Sequence, residues 1–344
     1  MMVLAASLEP SRIGDVFMSF LGIVFEGAPY IVVGTLISGF IDAFLPAKFI
    51  DRALPRNKVI ATLLAGFLGL IFPVCECAIV PVIRRLVQKG LPISCAITYM
   101  LAAPIMNPIV AASTVTAFMN DPLTRDSMKL LSWSDLLHPV LLVHDLCAAV
   151  PMVVARLSLG YIVAVLAGLV VIFMKPRQLL RDSVVDEMDA AAAAPPERPA
   201  GFDTKLVRAM RGTMRDFLDT GMYFAMGVGI TAIFSTQINQ AVLGQVAGNG
   251  WIAIPAIMLL ALILSLCSTS DAFIAANLPS FSFAAKLAFL VYGPMMDMKL
   301  LFMYSAVFKR RIVLVMLFGL MFVVGLLSGP WATFIQNLAT TVKP

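Results

Sequence analysis

Long apolar runs, broken by a few short polar stretches, fill this chain from residue 13 onward. The runs show neither the strict alternation of a half-buried strand nor the narrow stripe of a surface helix. Several reach the ~18–20 residues that a helix needs to cross a bilayer. The pattern predicts an all-α polytopic membrane protein. The polar breaks then divide it. Residues 175–215 carry eight Lys or Arg, an alanine run and a proline pair, and read as a mobile cytoplasmic linker between a first transmembrane repeat, 1–174, and a second, 216–344.

The two halves resemble each other. "FPVCECAIV" pairs with "LSLCSTSDAFI", aligning Cys75 with Cys267; "AAPIMNP" pairs with "YGPMMDM"; and the opening spans "FEGAPYIVVGTLISGFI" and "LDTGMYFAMGVGITAIF" correspond. These matches recur in one order, as an internal repeat does. Basic residues at 48–58, 84–89 and 309–311 belong on the cytoplasmic side, and uncharged "AVLGQVAGNG" fits the outside. Residues 59–83 then enter and return on one face, and 251–279 on the other. That gives two inverted repeats whose re-entrant segments meet near the bilayer midplane, a recurring plan among transporters. A continuous but broken helix over 59–83 is the competing reading. The stretch 138–174 fits one crossing plus a short extra helix. Gly221, Ala225 and Gly229 form a small-residue stripe suited to close helix packing.

Composition changes little. Hydrophobic residues make up 60% and charged residues 13%, and the net charge of +5 reflects loop lysines and arginines, not nucleic-acid binding. The N-terminus lacks the features of a cleaved signal peptide. No Walker, dinucleotide or HExxH motif occurs, so no cofactor is expected. Five cysteines, all in apolar segments, argue against a disulfide framework. Cys95 and Cys147 read as space fillers.

Cys75 and Cys77 flank Glu76, with Pro73 and Pro81 outside them. In a helix the two thiols would diverge by about 200°; on unwound backbone they face the same way. The prolines favour the unwound form. Such backbone at membrane depth belongs where it lines a cavity. With Cys267 as a third sulfur the set suits a trivalent metalloid; two sulfurs with Glu76 or Asp271 suit a zinc-like divalent metal. Intramembrane acids are functional candidates by default: Glu26, Glu76, Asp271 and Asp297, with His144 and Asp145 less securely buried. Glu76 and Asp271 are also placed to cap the helices that follow them, or to carry a coupling proton. Paired carboxylates there disfavour anions. Ser268, Thr269 and Ser270 add hydroxyls for capping or binding. Asn107 and Asp297 occupy matching places and are expected to line the same cavity, while Met106 and Met296 read as core filler.

These blocks, "FPVCECAIVPVIRRLVQKGLPISCAITYMLAAPIMNPIVAASTVTAF", "LCSTSDAF" and "YGPMMDMKLL", resemble the ArsP-type predicted permease family, and particularly its YraQ- and YcgR-like branch. The resemblance covers most of the chain outside the linker. It implies a proton- or potential-driven permease of a bacterial inner membrane, with Cys75, Cys77 and Cys267 in the path of a thiol-reactive substrate such as trivalent organoarsenic, and a role in arsenic resistance. It also implies a second membrane subunit for some members, in metal handling; a homo-oligomer is the other assembly considered. The leading expectation is metalloid efflux. Divalent-metal transport, a thiol–disulfide oxidoreductase and a non-transporting subunit are the alternatives.

Overall fold

The computed structural model describes residues 10–44, 55, 57–72, 74–119, 139–174, 176–193, 202–235 and 250–342. Regular structure among them is helical apart from one bridge, Leu180 to Phe308. The first half contains α1 (Pro10–Phe44), α2 (Lys58–Gly66), α3 (Leu68–Ile71), α4 (Glu76–Gln88), α5 (Ile93–Ala102), α6 (Pro108–Met119) and α7 (Pro139–Val171). Then come α8 (Pro176–Leu179) and α9 (Asp182–Ala193). The second half holds α10 (Phe202–Ser235), α11 (Gly250–Leu264), α12 (Ser270–Ala276), α13 (Phe283–Met295), α14 (Met298–Ser305) and α15 (Arg310–Val342). Each half therefore has a long helix, an interrupted segment, a second interrupted segment and a closing long helix. Among the described residues five helical segments are long and apolar enough to cross a membrane, within α1, α7, α10, α13–α14 and α15.

Helix directions follow from close approaches at glycine. Gly34 of α1 meets Ala78, and Ser38 donates to the Pro81 carbonyl at 3.2 Å, so α1 and α4 run the same way. Gly27 meets Phe224, and Gly39 meets Ala209 and Thr213, so α1 and α10 are antiparallel. Gly66 lies near Thr98 and Gly69 near Ala103, which makes α2–α3 parallel to α5. Between them the helix ends at Phe72 and resumes at Glu76, and the chain reverses through a short turn at Gly90, whose φ of 102° suits glycine alone. Phe72 leaves the helix at ψ 86°, as a residue preceding proline is pushed to do.

Three expectations change here. Within the stretch 138–174, Pro139–Val171 form one helix, α7, which accommodates Pro151. The stripe at Gly221 and Gly229 meets nothing within 4 Å; the packed face of α10 is the one carrying Phe224, Gly227 and Val228. The described parts of 175–215 are largely helical. Leu179, Leu180 and Val184 are buried, and Glu187 of α9 accepts two hydrogen bonds from Arg84 at 2.9 and 3.0 Å. Arg85 beside it grips Asp216 through two hydrogen bonds of 2.8 and 2.9 Å, and Ser38 donates to the same carboxylate. These pairs fasten the C-terminal end of α4 to α1, α9 and α10. Residues 236–249, most of 48–56 and the side chains of His144, Asp145 and Cys147 fall outside the described part.

The Gly34 contact fixes the helix that carries the thiols. A methyl there would lie 2.6 Å from Ala78 Cβ and 2.7 Å from its Cα, so backbone must shift. Gly34→Ala is expected to cost about 1–3 kcal/mol. Gly22→Ala, which meets nothing within 4 Å, should be neutral or stabilising. Melting temperatures of the two variants in detergent check this.

Candidate functional site: a thiol-lined cavity between two chain breaks

The non-helical residues Val74 and Cys75, just before α4, face the break at 265–269: Cys75 and Cys267 line one cavity, and Ser268 bonds to Glu76. Cys75 caps α4 with extended backbone, φ −71° and ψ 164°, but its side chain makes no capping bond. Cys77 sits in the first turn of α4, so the unwound backbone covers only the first thiol. Pro81 lies inside α4 and does not end it; lacking an N–H, it leaves the Cys77 carbonyl without its helical partner. Cys75, Cys77 and Cys267 nevertheless line one cavity of about 20 Å³, with Glu26, Tyr30, Glu76, Phe224 and Lys299. All three are free thiols. Among the described residues no three Cys, His, Asp or Glu side chains are grouped to hold one metal ion. The expected three-sulfur ligand set is therefore not closed in this arrangement, because the helix rotates Cys77 away from Cys75.

Glu76 and Asp271 do not cap their own helices. Glu76, 1% exposed, reaches across to the other break: Ser268 Oγ donates to its Oε2 at 3.1 Å, and Lys299 Nζ lies 3.4 Å from its Oε1. Lys299 also donates to the carbonyls of Ser265 at 3.0 Å and Leu266 at 3.2 Å, and sits 3.4 Å from Asp297 Oδ2. Ser265 has φ 47°, a left-handed conformation that costs a serine about 1–2 kcal/mol. In return its hydroxyl accepts the N–H groups of Met298 and Lys299 at the start of α14. Asp271 is buried beside Arg156, at 3.8 Å. Arg156 donates to Thr114 of α6 at 2.7 Å and to the Ser268 carbonyl at 2.8 Å, joining the halves.

The remaining candidates take other places. Asp297 and Asn107 do not line the cavity. Each caps a helix, Asp297 accepting from the Leu300 N–H at 2.7 Å and Asn107 from the Ile109 N–H at 2.9 Å. Thr269 Oγ1 lies 3.4 Å from Cys267 Sγ. Ser270 donates at 3.3 Å to Glu26, which is exposed at the cavity mouth. The expected bias against anions also lapses, because Glu76 and Asp271 each face a buried cation.

A thiol-lined break in a bundle of apolar spans is the setting in which the comparisons with known proteins fall. The predicted permease family ArsP_1 matches residues 12–124 and 139–331. The chain belongs to that family. It is 34% identical over 304 residues to the UPF0718 protein YcgR of Bacillus subtilis, covering 87% of this chain and 90% of that one. It is 32% identical over 314 residues to a Streptococcus mutans protein named as a candidate two-component membrane permease complex subunit, covering 89% and 91%. No solved structure matches. The protein is a multi-pass membrane protein of a permease family.

Sequence reasoning missed Lys299 and Arg156 by looking only at acids. The signal was present: Arg156 is the one charge within the apolar run 146–174, and several buried carboxylates need counter-cations. Removing one partner of a buried pair costs about 3–5 kcal/mol, whereas replacing both is often near neutral. Arg156→Met should therefore lower the detergent melting temperature sharply, and Arg156→Met/Asp271→Leu should regain part of the loss. A double variant no better than the single one would contradict the pairing.

Proposed function

We propose that this permease exports a neutral, thiol-reactive trivalent metalloid, such as an organoarsenical, across a bacterial inner membrane by secondary transport. The observation that carries the reading is the convergence of Cys75, Cys77 and Cys267 on one cavity between the two breaks. Soft thiol ligands select soft acceptors. Glu76, the carboxylate a divalent metal would need, has both oxygens engaged, and Asp271 faces Arg156. A neutral species that needs only sulfur fits better than a zinc-like ion. The cavity has room for about one water. The substrate must therefore widen it, which the broken backbone on both sides permits.

The antiparallel pairing of α1 with α10 supports two inverted repeats, 1–174 and 216–344, joined by a cytoplasmic 175–215. Asp271, with one buried oxygen lacking a hydrogen bond, is a better-placed proton acceptor than Glu76, whose two oxygens are engaged. Ser268, Thr269 and Ser270 hold the second break in shape around Cys267. A second membrane subunit is part of the reading, by analogy with the name of the Streptococcus relative, and α1 offers it an apolar face with Phe25 75% exposed.

Everted vesicles supplied with trivalent methylarsenical, arsenite, antimonite and zinc test the reading by elemental mass spectrometry. Arsenic should accumulate, and Cys75→Ser/Cys77→Ser should reduce that accumulation at least tenfold, roughly the loss of 1.4 kcal/mol or more of binding. Cys95→Ser, buried in α5 away from the cavity, should keep it. Zinc accumulating in place of arsenic, or arsenic uptake indifferent to both thiols, would contradict it.

A further inference from the structure

We propose that Lys299 determines which substrates the cavity accepts, by occupying the Glu76 carboxylate and so denying divalent cations a ligand beside the thiols. The inference rests on the thiol-cavity reading above. Glu76 lies between Cys75 and Cys77 in sequence, and all three line the cavity with Lys299. Cys75, Cys77 and Glu76 are donors of the kind zinc takes, although as they stand no three of them group around one point. What holds the carboxylate is an ammonium 3% exposed, 3.4 Å from Glu76 Oε1.

Lys299 is held against displacement. It is tethered to α14, it donates to the Ser265 and Leu266 carbonyls, and Asp297 stands 3.4 Å from it on the other side. An incoming cation must expel a fixed cation that has no freedom to diffuse away, so the local concentration of the competitor is very high. Glu26 at the mouth pulls the other way, but it stands outside the buried ion-pair set and accepts a hydrogen bond from Ser270. A cation is thus drawn to the mouth and refused at the thiols. A neutral metalloid hydroxide meets no such barrier. This is rejection of a competitor by a built-in repulsive element.

The test uses full-length protein in detergent, trivalent methylarsenical and zinc chloride, with bound arsenic and zinc read after equilibrium dialysis. Wild type should hold arsenic against a large excess of zinc. Lys299→Met should raise the zinc-to-arsenical affinity ratio at least tenfold, and Lys299→Arg should leave it within a few fold of wild type. Lys299→Met/Glu76→Gln should lose the gain, because the freed carboxylate is gone. A ratio unchanged in Lys299→Met, with only the melting temperature lowered, would make Lys299 a structural partner and overturn the inference. So would zinc displacing arsenic from wild type, a measurement that decides the matter even if Lys299→Met does not fold. Absence of arsenical binding in wild type would instead sink the proposed function, while the zinc affinities of wild type and Lys299→Met would still judge Lys299.

Discussion

One buried ion pair, Lys299 with Glu76, ties together the parts on which the site depends. Glu76 begins the helix after the first break, and Lys299 lies in the first turn of α14 while also holding the carbonyls of the second break. Non-helical backbone inside a membrane protein survives only where its polar groups find partners. Here the carbonyls of the second break are held by Lys299 of α14 and Arg156 of α7, and its Ser268 hydroxyl reaches Glu76 just after the first break. Ser268 on Glu76, Lys299 on Ser265 and Leu266, and Arg156 on Ser268 form one connected set. Breaking any member leaves a buried group unpaired, which costs more than the pair contributes when intact. The cavity beside the three thiols is therefore defined by electrostatics as much as by packing.

Away from the cavity, the same helix is held by a second ionic layer. Arg84 and Arg85 at the end of α4 meet Glu187, Asp216 and Asp219, and Lys89 donates to the Asp42 carbonyl at 2.7 Å. One helix thus carries the thiols at its start and a set of fasteners at its finish. Rotation or sliding of α4 would alter both together, the kind of coupling that a carrier with two states needs.

The all-α membrane class was legible because long apolar runs and the basic breaks between them both report on burial in a bilayer. The thiol cavity was legible as well: cysteines at matching places in two repeats are few, and proline beside them marks a break. The limits of the sequence are physical. Whether Cys77 lies in the break or one residue into the helix depends on where the helix nucleates, and no residue type announces that. Asn107 and Asp297 looked like cavity residues because they are polar in apolar surroundings; a capping role satisfies the same requirement. Lys299 sits two residues after Asp297, so its charge reads as the margin of a loop until tertiary packing buries it.

The central claim is that the three thiols, with Glu76 withheld, form the substrate's ligand set. Arsenic-edge X-ray absorption of the purified protein loaded with trivalent methylarsenical tests it most directly. The account predicts an arsenic environment of carbon and at least two sulfurs, losing sulfur when Cys75 and Cys77 are replaced by serine. An environment of carbon and oxygen alone in the wild-type protein would contradict it.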